Sequence, residues 1–141
     1  MRSRKTVSNP RRRKGEIDAL VLEFLAQANA PLSAYDISTR AALAGNSIVP
    51  NQVYRTVARL INEGRVRRIE MLQAYALCQP DARACLVCLG CHSVVTVAAW
   101  PVETELEREA AMAGFELRRG TVEARGLCPD CRQSDAAPLR F

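Results

Sequence analysis

Histidine is almost missing from this 141-residue chain, which holds only His92. A centre built on several imidazoles, whether a His-rich metal site or an acid–base pair, therefore lacks its residues. Aromatic residues are also few, at 5% against 48% hydrophobic overall, so the core must be mostly aliphatic. No apolar run approaches the roughly 18 residues of a membrane span. The basic N-terminus is not followed by an apolar signal stretch, which predicts a cytoplasmic protein. There is no internal repeat, and no nucleophile stands beside an evident base, so an enzyme is not expected.

Charge is present but unevenly placed. Residues 1–15 carry seven basic side chains and no acid. Up to residue 78 there are 13 basic and 6 acidic residues, a net +7, while residues 79–141 hold 7 basic and 9 acidic, a net −2. The positive half suits a polyanion such as nucleic acid. The arm over residues 1–14, with Arg11, Arg12 and Arg13, is either a nucleic-acid contact or a solvated tail.

Helical spacing begins after the arm. Ile17, Leu20, Val21, Phe24 and Ala28 share one face. Ala30-Pro31 ends that helix, and Ser33 with Asp36 forms a capping-box pattern for a second one, running to about Ala44. Pro50 can open a third, since the first turn does not need its missing N–H. Val53, Val57, Leu60 and Ile61 form its apolar stripe. Gln52, Tyr54, Arg55 and Arg59 lie off it, and Gly64 closes it. Residues 65–69 and 74–77 read as a hairpin. Three short helices and a hairpin describe a winged helix-turn-helix, whose third helix enters a major groove. On that helix Arg55 and Arg59 can grip a phosphate or a guanine edge, and Tyr54 a phosphate or a thymine methyl. Arg65, Arg67 and Arg68 on the hairpin can follow the flanking backbone. Taken alone, the same face can be a solvated charged surface.

Beyond about Pro80 the texture changes. Residues 86–87, 94–97, 115–118 and 122–124 read as strands, with a helix from about Val102 to Ala113. The fold class is therefore α+β: a winged helix over 15–80, an α/β dimerisation domain over 81–135, and a tail over 136–141.

Cysteine spacing is the sharpest chemical signal. Cys88-x-x-Cys91 and Cys128-x-x-Cys131 are two knuckles, and four thiolates match the tetrahedral preference of Zn²⁺. The closed shell leaves no open position, so this zinc is structural. Redox pairs, free core thiols or an iron–sulfur cluster are the alternatives.

Residues 50–57, Pro-Asn-Gln-Val-Tyr-Arg-Thr-Val, followed by Leu60 and Gly64, resemble the recognition helix of the ferric uptake regulator family. The paired knuckles extend the likeness over about residues 16–132. Pro31 to Asp36, Ala74 to Cys78, and the stretch from Gly114-Phe115 through Val122-Glu123-Ala124 to Cys128 are similar to its zinc-uptake branch. The resemblance implies a homodimeric, metal-promoted repressor that binds a palindromic operator in double-stranded DNA. It also implies a second, regulatory zinc between the two domains, typically held by two histidines, a cysteine and an acid. Cys78 falls on the cysteine position, Arg67 and Asp81 on those of the histidines, and Thr96 near that of the acid. A thiolate-rich set of Cys78 and Cys85, completed by His92 or Asp81, is the chemically reasonable substitute. Two rival functions remain open at this point: a metal-insensitive or thiol-redox-responsive DNA-binding member, and a zinc-ribbon adaptor for a protein partner.

Overall fold

The computed structural model describes residues 14–79, 84–98, 100–118 and 122–134. Arg11, Arg12, Arg13 and Asp81 lie outside these residues. The chain opens with α1 (Lys14–Gln27), α2 (Ala34–Leu43) and α3 (Pro50–Asn62). A hairpin of β1 (Val66–Ile69) and β2 (Ala74–Leu77) follows, bridged by a 3-10 turn over Glu70–Leu72. Then come β3 (Ala84–Cys88), β4 (Val94–Val97), α4 (Trp100–Met112), β5 (Val122–Gly126) and the short α5 (Pro129–Gln133).

The helix starts follow their sequence signals. The Ser33 hydroxyl accepts from the Asp36 N–H at 3.1 Å, and Asp36 Oδ2 accepts from the Ser33 N–H at 2.9 Å. These bonds satisfy two N–H groups at the start of α2. Pro50 opens α3, and Gln52 Oε1 accepts from the Val49 N–H at 3.1 Å. Gly64, at φ +72°, ends the third helix in the left-handed region that a Cβ disfavours. The Ser38 hydroxyl donates to the Ile48 carbonyl at 2.5 Å, closing the connection between α2 and α3.

Val21, Phe24, Leu25, Leu32, Ile37, Val53, Val57 and Leu60 are buried together with Val66 and Tyr75 of the hairpin. The apolar stripes of the three helices thus close on one another and on one side of the wing. The segment before α2 is stitched to β2 as well: Leu32 and Tyr75 exchange backbone bonds of 3.0 and 2.8 Å. Burial raises the Tyr75 phenol above its ordinary pKa, with Arg68 opposing the shift.

In the second half, β3 is central in the order β4-β3-β5, antiparallel to β4 and parallel to β5. A smaller cluster joins this sheet to the other side of the wing. Ile69, Cys85 and Val87 are buried there, with Met71, Leu72, Ala76 and Val94 packed around them.

Residues 115–118, expected as a strand, do not form one. The Phe115 N–H bonds back to the Ala110 carbonyl at 2.7 Å and the Gly114 N–H to Ala111 at 3.1 Å, so this stretch finishes α4. Gly114 at φ +79° makes that closure possible. Among the described residues no helix is long and apolar enough to cross a membrane.

Candidate metal centre and nucleic-acid interface

The sheet topology gathers the cysteines. Cys88 ends β3, and the parallel pairing sets it opposite Gly126 at the end of β5. Two residues later Cys128 caps α5, whose first turn carries Cys131. The first knuckle turns back through His92, which takes φ +60° and donates its N–H to the Cys88 carbonyl at 3.0 Å. All four sulfurs lie within 4.8 Å of one another, and Cys91 Sγ and Cys128 Sγ are 3.8 Å apart. Tetrahedral Zn–S bonds of about 2.3 Å put sulfurs about 3.8 Å apart, so this spacing suits zinc.

Backbone geometry around the sulfurs supports the same reading. The Cys128 N–H points at Cys88 Sγ from 3.3 Å, and the Cys131 N–H at Cys128 Sγ from 3.5 Å. Such donors favour thiolate. The N–H of Cys128, then that of Cys91, bring the Cys88 thiol down to about 6. The Ser93 hydroxyl, 3.0 Å from Cys91 Sγ, lowers the Cys91 thiol. Cys131 is pushed up to about 12, first by the Cys128 sulfur and then by Cys88. Four sulfurs this close cannot all ionise unless a cation neutralises them. Gly90 completes the fit, since a Cβ there would lie 2.8 Å from Cys131 Sγ. Glycine is required because the second knuckle packs directly on the first. The donor set, its spacing and its ionisation therefore fit Zn²⁺, which Cys88, Cys91, Cys128 and Cys131 would hold as a structural ion.

The proposed regulatory ligands are scattered by comparison. Cys78 is exposed just past β2, its N–H bonded to the Arg65 carbonyl at 3.0 Å. Cys85 is fully buried between wing and sheet. Burial raises its thiol pKa, with Arg67 opposing and Glu123 adding to the shift. His92 is exposed in the knuckle turn. Thr96 lies on β4, its hydroxyl donating to Gln79 Oε1 at 2.6 Å. Among the described residues, the four knuckle cysteines are the one group of three or more metal-ligating side chains close enough to share an ion.

On the basic side the residues divide. Tyr54 and Arg55 are exposed on α3, opposite buried Val53, Thr56, Val57 and Leu60. Gln52 is exposed, but its side-chain oxygen is held by the α3 cap. Arg59, one turn beyond Arg55 on the same face, is half-buried and forms an ion pair with Asp18 of α1, so it braces two helices. Arg65 and Arg68 are exposed on the wing beside Glu63 and Glu70, at 3.8 and 3.4 Å. Arg67 departs from the expected backbone-tracking row. Strand alternation puts it on the side of Ile69, where it lines a cleft of about 260 Å³ with Val94 and Thr96 of β4. Tyr35, 66% exposed in the first turn of α2, is an aromatic on this half that the sequence pattern did not single out. The signal that could have marked it is its place in the Pro31 to Asp36 stretch that resembles the zinc-uptake branch.

Comparison with known proteins agrees with this arrangement. The sequence pattern of the Ferric uptake regulator family matches residues 15–125. The zinc uptake regulation protein of Escherichia coli (strain K12) is 33% identical over 121 residues, covering 82% of this chain and 71% of that protein. A zinc uptake regulator complexed with zinc and DNA superposes with a TM-score of 0.77 at 32% identity, covering 85% of this chain and 83% of the other. The structure of holo XcZur gives a TM-score of 0.74, also at 32% identity, over 84% of this chain and 85% of its own. With the family match spanning residues 15–125 and a relative 33% identical to it over 82% of its length, the chain belongs to the ferric uptake regulator family.

Proposed function

We propose that this chain is a zinc-dependent transcriptional repressor that binds double-stranded operator DNA as a homodimer and controls zinc uptake genes. The observation that carries the reading is the pairing, on one chain, of a four-sulfur zinc centre with an outward-facing Tyr54 and Arg55 on a winged-helix recognition helix. Likeness to a zinc uptake regulator complexed with zinc and DNA supports it. The winged helix, residues 15–80, reads DNA, and residues 81–135 dimerise. Operator contacts are assigned to Tyr54, Arg55 and Gln52 on α3, and to Arg65 and Arg68 on the wing. Such a protein works in the cytoplasm and needs no catalytic group, and a closed Cys₄ shell offers no open coordination position.

Dimerisation has a surface to use. Leu86, Val95 and Ala124 lie side by side across the three strands, and all are exposed. On α4, Val102 and Leu106 are exposed at i, i+4 spacing, and the helix buries no residue fully. Apolar surface of this extent in one unit suits a self-complementary interface. A regulatory zinc would be anchored by Cys78, the thiol left accessible where the wing ends; Cys85 is withheld from solvent by its packing. The reading is tested by titrating operator DNA with dimeric protein in buffered zinc and measuring zinc per chain. Tight, zinc-promoted binding to one palindrome is expected. Absence of sequence-selective binding at any zinc level would overturn it.

A further inference from the structure

The contact between the wing and the C-terminal sheet is built unevenly. Its apolar part is small, with Ile69, Cys85 and Val87 the fully buried members. Apolar burial is non-directional, so a seam of this size holds two units together without fixing their angle. The directional part is polar. Glu123 of β5 reaches across the seam, where its Oε1 accepts from the Glu70 N–H at 2.8 Å and its Oε2 from the Met71 N–H at 3.2 Å. Both donors open the 3-10 turn of the wing, where a short helix has N–H groups with no internal partner. At the other end of the wing, Thr96 donates to Gln79 at 2.6 Å.

The wing is in turn rigidly continuous with α3. The Arg65 N–H bonds to the Leu60 carbonyl at 2.9 Å, and Val66 is buried in the same cluster as Val53, Val57 and Leu60. Whatever fixes the tilt of the wing therefore fixes the tilt of the third helix. We propose that Glu123 is a positioning residue that latches the wing to the dimerisation sheet and so sets the angle at which α3 is presented to DNA. This rests on the DNA-binding reading above. In a dimer, two recognition helices must enter two major grooves together, so an angular error in each weakens the palindrome more than a single half-site.

The test uses full-length, zinc-loaded dimer carrying E123Q, with T96V as a second, equally conservative variant. A glutamine can accept one of the two N–H groups but sets its own NH₂ against the other. Amide exchange at Glu70 and Met71, followed by NMR without DNA, is expected to quicken about tenfold in E123Q, the scale of a lost charge-assisted hydrogen bond. Exchange at Val57 and Leu60 should not change. Affinity for the palindrome should fall about tenfold on the same scale while half-site affinity is kept, and T96V should do the same more weakly. Unchanged exchange in E123Q, or equal losses on palindrome and half-site, overturns the proposal. So does loss of zinc or of the dimer, which would place the role of Glu123 within the zinc unit. If the wild type binds neither DNA, the failure falls on the proposed function, and the exchange rates still decide whether Glu123 holds the wing.

Discussion

Arg59 of the third helix is ion-paired to Asp18 of the first, across 41 residues of sequence and with both side chains largely shielded. The pair ties α3 to α1 one helical turn from the exposed Arg55. Replacing Arg59 by alanine strands a shielded carboxylate. A loss of about 1–3 kcal/mol in unfolding free energy is expected, read by urea denaturation. Asp18→Ala should cost a similar amount, and the double variant less than the sum of the two. Strict additivity would show that the pair is not coupled.

Arg55→Ala should behave in the opposite way. Its side chain is exposed and makes no ion pair among the described residues. Stability should stay within about 0.5 kcal/mol of the parent. Specific operator binding should weaken by about 1–3 kcal/mol per half-site, the range for a lost bidentate base contact. Equal weakening on operator and random DNA would make Arg55 a phosphate contact only.

The difference between these two arginines marks where sequence reading stops. Both are polar residues on an amphipathic helix, and spacing sets them on neighbouring positions. Which one is turned inward depends on where α1 lies, and that is a tertiary fact. Elements specified locally were legible: the Ser33–Asp36 cap, the stripe of Val53, Val57 and Leu60, and the two cysteine knuckles. The cap and the stripe need only neighbours within a turn, and the knuckles only a two-residue spacer. Arg67 was misplaced among the outward wing residues although period-two alternation against Arg68 already separates them. Phe115 to Arg118 look like a strand by composition, but their first N–H is consumed by the end of α4. Cys85 could be named as a thiol, yet its burial depends on the wing packing against the sheet.

Gly90→Ala is a sharp test of the metal centre because it leaves all four thiols in place. The added methyl would meet Cys131 Sγ at 2.8 Å and its Cβ at 3.1 Å. The knuckles must then separate, so zinc should be released to a chelator far faster than from the parent. Any single Cys-to-Ser change at 88, 91, 128 or 131 should release the metal and unfold this half, with loss of the dimer. An alanine variant with undiminished zinc retention would mean the two knuckles do not pack as described.

Leu106→Asp should separate the protomers without touching the zinc. Leu106 is 40% exposed on α4, one turn from Val102. A carboxylate in a dimer interface would be buried without a partner, which costs several kcal/mol. Sedimentation should report a monomer still holding one zinc per chain. A stable dimer would move the interface away from α4.

Cys78 and Cys85 offer a contrast within one protein. Cys78 is exposed, while Cys85 is fully buried with a thiol raised by burial. In zinc-loaded protein at neutral pH, a thiol reagent should modify Cys78 quickly and Cys85 only on unfolding. The raised Cys85 pKa fixes the sign of a pH effect. The folded state holds that proton more tightly than the unfolded one, so its stabilising contribution is complete below the ordinary thiol pKa. It is lost as pH rises through the folded value, and Cys85→Ala should flatten that alkaline decline. Cys78→Ser should keep the fold and the knuckle zinc, since Cys78 belongs to neither buried cluster. If Cys78 anchors a regulatory zinc, the serine variant binds operator without any response to free zinc, and zinc per chain falls from two to one. A serine variant with the parent's zinc response and metal content would remove Cys78 from any sensing role.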